Sequence, residues 1–151
     1  MSQLPPSRQI SPAEAVTRRN AILLLEDNEV IASMLTALLH TLSLRVIWCA
    51  DGASAVRVFS ERRDEVLLVL ADCRLPDTDG REVCARLRQT APRLPVLVTS
   101  GSVSGRGVAP LARDGFVEYL PKPYAPAEVL TRVRRLMSVA LDDTSWQAGM
   151  N

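Results

Sequence analysis

Short apolar runs alternate along this chain with segments whose apolar residues recur at helical spacing. Ala21 to Leu25 reads AILLL, the continuous kind of run that is buried on both faces of a parallel sheet. Further strands are predicted at Arg45 to Cys49, Val66 to Ala71, Pro95 to Thr99 and Phe116 to Leu120. After the first strand Asn28 is placed to cap a helix, and Val30, Ile31, Met34, Leu35, Leu38, Leu39 and Leu42 draw one apolar stripe along it. Helices are also predicted over Ala53 to Arg62, after an Asp51-Gly52 turn, and over Arg81 to Gln89. A last helix is predicted over Ala127 to Ala140, with Val129, Leu130, Val133, Leu136 and Met137 on its apolar side. Gly101, Gly105, Gly107 and Pro110 crowd the stretch between the fourth and fifth strands, so the helix expected there is short or irregular. Successive βα units with right-handed crossovers predict an α/β, doubly wound, five-stranded parallel sheet with helices on both faces. The functional crevice of such a sheet lies beyond the carboxyl ends of its strands.

The length of 151 residues fits one domain. Residues 1–20, with three of the ten prolines and no periodic apolar pattern, read as a mobile tail; residues 21–141 form the domain and 142–151 a second tail too short for an output domain. Eighteen basic residues against seventeen acidic leave a net charge of +1, so no global field argues for nucleic acid or an anionic membrane. Cys49, Cys73 and Cys84 are odd in number and contain no CxxC pair, which argues against a disulfide framework or a zinc knuckle. With no signal-like segment and no apolar run of spanning length, the expectation is a soluble, cytoplasmic protein.

Chemistry gathers at the predicted strand ends. Glu26 and Asp27 follow the first strand, Asp72 the third, Thr99 and Ser100 close the fourth, and Lys122 follows the fifth. Converging in one crevice, three carboxylates and one ammonium would leave two formal negative charges, a match for one divalent cation. Hard oxygen ligands with room for water suit Mg²⁺ or Mn²⁺. Such a site suits phosphoryl chemistry in which a carboxylate is the nucleophile. Asp72, directly after the apolar run VLLVLA and before the turn-rich CRLPDTDG, is the candidate nucleophile. Taken singly, each acid reads more readily as a helix cap or a solvated loop charge, and only their joint placement favours the site.

Glu26-Asp27 after an apolar strand, Asp72 followed by Pro76 and Asp79-Gly80, then VLVTSG and YLPKPY, together resemble the receiver domain of two-component response regulators, most closely the receivers associated with hybrid histidine kinases. The resemblance runs from Ala21 to about Ala140 and implies a flavodoxin-like fold with strand order 2-1-3-4-5. It implies Asp72 as phosphoacceptor, Glu26 and Asp27 as the acidic metal pair, and a backbone carbonyl of Arg74 as a further ligand to Mg²⁺. It also implies Ser100 as the switch hydroxyl, five residues after Pro95 and twenty-two before Lys122, in preference to Thr99. Lys122 would contact the phosphoryl group, Lys122-Pro123 would be cis, and Tyr119 would be the aromatic rotamer switch. Arg74 and Ser102 would tune the phosphoryl lifetime. The implied partners are a sensor histidine kinase or histidine phosphotransfer protein and a downstream protein, with a phosphorylation-dependent homodimer as one output; self-catalysed transfer makes the domain a switch and not an enzyme.

Other readings compete for the same residues. Tyr119 is also readable as a half-buried aromatic with a wet hydroxyl, Ser100 as a turn cap, Lys122 as a solvated lysine and His40 as a surface residue. Ser100, Gly101, Gly105 and Gly107 stand in the order of a dehydrogenase nucleotide loop, but only 44 residues follow Gly107 and no tyrosine lies four before a lysine. A magnesium phosphatase would need an acid at position 74, which is Arg. A phosphorylation-silent docking or dimerisation module remains the alternative that retains the fold. The basic side chains of the last helix, Arg132, Arg134 and Arg135, read as a solvated face.

Overall fold

A computed structural model describes residues 19–101 and 115–142. In chain order its elements are β1 (Ala21–Leu25), α1 (Glu29–His40), β2 (Arg45–Cys49), α2 (Gly52–Arg62), a 3₁₀ turn (Arg63–Glu65), β3 (Val66–Asp72), α3 (Gly80–Thr90), β4 (Val96–Ser100), β5 (Val117–Pro121) and α4 (Pro126–Asp142). The five strands form one sheet in the order β2-β1-β3-β4-β5, every neighbouring pair parallel. Both expected tails, apart from a few residues, and the helix expected between β4 and β5 lie outside the described residues.

Strand alternation divides the core in two. Leu23, Leu25, Ile47, Val69, Ala71 and Val98 face α2 and α3 through Ala55, Phe59, Val83 and Leu87. Ile22, Leu24, Leu68, Leu70 and Leu97 face α1 and α4 through Leu35, Leu39, Val129, Val133 and Leu136. β1 and β3 are buried along their whole length, as the apolar runs require. No helix among the described residues is long and apolar enough to cross a membrane.

Helix starts follow the predicted caps. The Asn28 side chain accepts from the Ile31 N–H, and Asp51 accepts from Ser54. The stripe predicted on α1 is too wide, however. Leu35 and Leu39 are buried and Ile31 and Leu38 partly so, but Val30 is 79% exposed and Met34 47%. At 3.6 residues per turn, Val30 and Met34 point about 180° and 140° away from Leu39. The small Ala32 takes the buried arc instead.

Between β3 and α3 the chain turns back on itself tightly. Arg74 and Asp79 pair as an isolated antiparallel bridge, Leu75 N–H donates to the Thr78 carbonyl, and Gly80 N–H donates to the Cys73 carbonyl at 2.8 Å. Asp79 caps α3 through the Arg81 N–H and also holds the Arg81 guanidinium. Gly80 lies so close to the end of β3 that an added Cβ would fall 1.9 Å from the Asp72 carbonyl oxygen. Asp77 ties the same turn to α2, accepting from the Gly52 and Ala53 N–H groups.

Gly80→Ala is expected to destabilise the domain by at least about 1–3 kcal/mol, measured by urea denaturation. In the same assay Leu35→Ala should cost about 2–5 kcal/mol and Val30→Ala less than about 0.5 kcal/mol.

Candidate functional site

Register brings the predicted residues together. In the parallel ladders Asp72 pairs with Thr99 and Ser100 with Pro121, so the residues ending or following β3, β4 and β5 meet at one edge. Cys73 N–H donates to the Thr99 carbonyl, Lys122 N–H to the Ser100 carbonyl, and Glu26 N–H to the Cys49 carbonyl. These bonds extend the ladder one residue past the strands and fix the backbone of the loops carrying the charges. Carboxylate oxygens of Glu26, Asp27 and Asp72 all lie within 4.8 Å of one another. Lys122 Nζ donates to Asp72 Oδ2 at 2.8 Å, and the Arg74 backbone N–H donates to Asp72 Oδ1 at 3.1 Å. The Lys122-Pro123 bond is cis.

Burial differs among the three acids. Glu26 is only 2% exposed and Asp72 8%, whereas Asp27 is open to solvent. Burial pushes the Glu26 carboxyl up to about 7, with the Asp72 charge adding to the effect and the Asn28 N–H, donating to Glu26 Oε1, opposing it. Burial acts the other way on Lys122, but the hydrogen bond and charge of Asp72 outweigh it and raise the ammonium pKa. Two formal negative charges are left over once Lys122 is counted against the three carboxylates. This hard, oxygen-only donor set with an uncompensated charge fits a small divalent cation such as Mg²⁺.

Around this cluster Ser100 and Tyr119 are half-buried and Thr99 is buried. The Ser100 hydroxyl is paired with the Cys73 thiol, and Tyr119 packs against the core shared by α2 and α3, within electrostatic reach of Arg81. Arg74 is exposed, and Ser102 lies outside the described residues. His40 is exposed at the end of α1. Glu118 on β5 is contacted by Arg132 and Arg135 of α4, so two of the three basic residues read as a solvated face have a partner.

Sequence reasoning missed three contributors. The Trp48 indole N–H donates to the Glu26 carbonyl at 2.6 Å, a contact across two strands that no local pattern signals. Tyr124, its hydroxyl pKa raised by burial, packs against the core shared by α1 and α4 and sits within reach of Lys122, Glu26 and Asp72; its signal was its place in YLPKPY. Cys73, which the sequence presents only as a cysteine without a disulfide or zinc partner, adjoins Asp72, and that adjacency is the available clue.

The sequence pattern of the response regulator receiver domain matches residues 22–134. The chain belongs to this family. It is 37% identical over 118 residues to the response regulator MprA of Mycobacterium ulcerans (strain Agy99), a match spanning 77% of this chain and 49% of that protein. The chain thus spans about half the length of the curated relatives it matches. Among solved structures it is similar to the signal receiver domain of an HD domain-containing protein from Pseudomonas fluorescens Pf-5, with a TM-score of 0.73 and 29% identity, covering 83% of this chain and all of that one. It is also similar to the receiver domain of a sensor histidine kinase from Pseudomonas aeruginosa PAO1, with a TM-score of 0.67 and 31% identity, covering 79% and 98% of the two chains. That structure has a magnesium ion coordinated in its active site cleft. The protein is therefore a receiver domain of two-component signalling, with the flavodoxin-like fold and strand order of that family.

The Glu26 carboxyl, moved from its ordinary 4.5 to about 7, holds its proton more tightly in the folded receiver than in the unfolded chain. It contributes stability that is present in full below pH 4.5 and lost as the pH rises through about 7. With a chelator present, the melting temperature should fall between about pH 5 and pH 8. Glu26→Gln should remove most of that fall and be the more stable protein at the upper pH, by about 1–3 kcal/mol; thermal denaturation at both pH values checks this.

Proposed function

We propose that this receiver, taken as residues 21–141, accepts a phosphoryl group on Asp72 and that the modification switches its contacts with other proteins. The contact between Lys122 Nζ and Asp72 Oδ2 at 2.8 Å carries the reading. It joins the nucleophile to a cation suited to the incoming phosphoryl oxygens, beside two further carboxylates. The donor is a phosphohistidine on a sensor histidine kinase or histidine phosphotransfer protein. An Asp72 carboxylate oxygen attacks phosphorus, the new P–O bond forms as the P–N bond to imidazole breaks, and the imidazole leaves with a proton.

Each residue has a task in this reading. The Arg74 N–H on Oδ1 leaves the other carboxylate oxygen directed at Lys122, whose ammonium neutralises the transferred group. Glu26, Asp27, Asp72 and the Arg74 carbonyl would hold Mg²⁺ or Mn²⁺, which when bound offsets charge on the phosphoryl oxygens. Once Asp72 carries the added charge and acceptor oxygens, the Ser100 hydroxyl has a stronger partner than the Cys73 thiol. Its inward movement vacates space toward which Tyr119 turns, altering the β5 surface. The exposed Arg74 and Ser102, two positions past Ser100 in the sequence, tune the lifetime of the phosphoryl group. The downstream partner is a protein, or a second copy of the chain, in the cytoplasm.

Intact mass after incubation with a small-molecule phosphodonor should show one phosphoryl adduct that requires Mg²⁺ and is absent from Asp72→Asn. Lys122→Ala should keep some labelling but lose the conformational response, and loss of both Glu26 and Asp27 should abolish metal dependence. Labelling retained in Asp72→Asn would falsify the assignment; no adduct and no Mg²⁺ binding in the wild type would identify a silent docking module.

A further inference from the structure

Trp48 lies on β2, an edge strand, and is 44% exposed. Its ring stands against α1, forming a groove with Ala32, Thr36, Ala37 and His40. Its indole N–H nevertheless reaches across to the first residue beyond β1 and donates to the Glu26 carbonyl at 2.6 Å. The neighbouring β2 residue accepts the Glu26 N–H at its own carbonyl, Cys49 O, at 3.1 Å. Two consecutive residues of β2 therefore grip both backbone polar groups of Glu26. A third contact comes from α1's cap residue, whose N–H donates to Glu26 Oε1.

The carbonyl held by Trp48 belongs to the peptide unit joining Glu26 to Asp27. That unit is planar, so one hydrogen bond to its oxygen sets the orientation of the plane from which both acids diverge. Glu26 is nearly fully buried and Asp27 exposed, which requires the two side chains to leave this plane in different directions and still bring their oxygens within 4.8 Å of each other and of Asp72. Without a donor at this carbonyl, the peptide plane could turn through ψ of Glu26 and φ of Asp27, and the distance between the carboxylates would drift.

We infer that Trp48 is a positioning residue for the acidic pair, holding the Glu26–Asp27 peptide in the orientation in which the two carboxylates converge with Asp72 on a divalent cation; this rests on the reading of that cluster as a Mg²⁺ site. Second contacts that orient ligands contribute strongly to metal affinity in general, and here the orienting group acts on backbone, through a side chain from a different strand. Because the ring also covers α1, the same residue connects an exposed groove to the geometry of the cluster.

The test is Mg²⁺ affinity measured by calorimetry on wild type and Trp48→Phe, with no phosphodonor present. Phenylalanine keeps an aromatic ring over α1 and removes only the N–H donor. The expected result is a Kd about tenfold weaker with a melting temperature in chelator close to that of the wild type. An unchanged Kd in a wild type that binds Mg²⁺ overturns this inference and leaves the proposed function standing. A wild type that binds no Mg²⁺ overturns both. Should Trp48→Phe not fold, the decision passes to Trp48 fluorescence in a Trp146→Phe background, where Trp48 is the sole indole. Emission that shifts with Mg²⁺ along the calorimetric isotherm supports the inference, and flat emission refutes it.

Discussion

Three carboxylates held within 4.8 Å of one another repel, and a fold that buries one of them almost completely must hold them there by force of its backbone. The parallel sheet does so. Strands β1, β3 and β5 all point their carboxyl ends the same way, and ladder bonds running one residue past the strands leave the loop backbones little freedom. Lys122 meets the cluster at Asp72 and offsets part of its charge. The Glu26 carboxyl is driven up to about 7, by burial first and by the Asp72 charge in addition. The crowded carboxylates are thus under electrostatic tension at the place where phosphoryl transfer is proposed.

The turn after Asp72 explains why that tension does not simply open the site. Gly80 packs against the Asp72 backbone at a distance no Cβ allows, Asp79 caps α3, and Asp77 reaches to the start of α2. The segment CRLPDTDG is therefore a clamp anchored to two helices. On the other side, Asn28 and Trp48 hold Glu26. Between these fixed elements Ser100, at the end of β4, and Tyr119, on β5, stand half-buried, their backbones held by the sheet.

Most of this architecture was legible in the chain. AILLL and VLLVLA read as strands because a strand covered on both faces has no reason to alternate, and observed boundaries differ from the predicted ones by a residue or so. The acids, Ser100 and Lys122 were legible because each directly ends or follows such a run. The α1 stripe was misjudged at Val30 and Met34 because apolar character alone does not say how wide an arc the sheet will cover. Trp48 escaped notice for a related reason. An aromatic residue in a β-rich run is ordinary, and its donor finds Glu26 only after β1 and β2 have paired.

By itself the sequence determined the order of elements, the parallel sheet that such an order demands, and the identity of the charged groups delivered to its carboxyl edge. Those properties depend on local periodicity and on the direction of the chain, both written residue by residue. Only the tertiary structure decided which carboxylate is buried and which is open, that Ser100 comes within reach of Cys73, and that an edge-strand indole donates to the carbonyl between two acids. These depend on distances between segments far apart in the chain, and a distance of a few ångströms decides whether a charge is solvated, paired or forced to hold a proton.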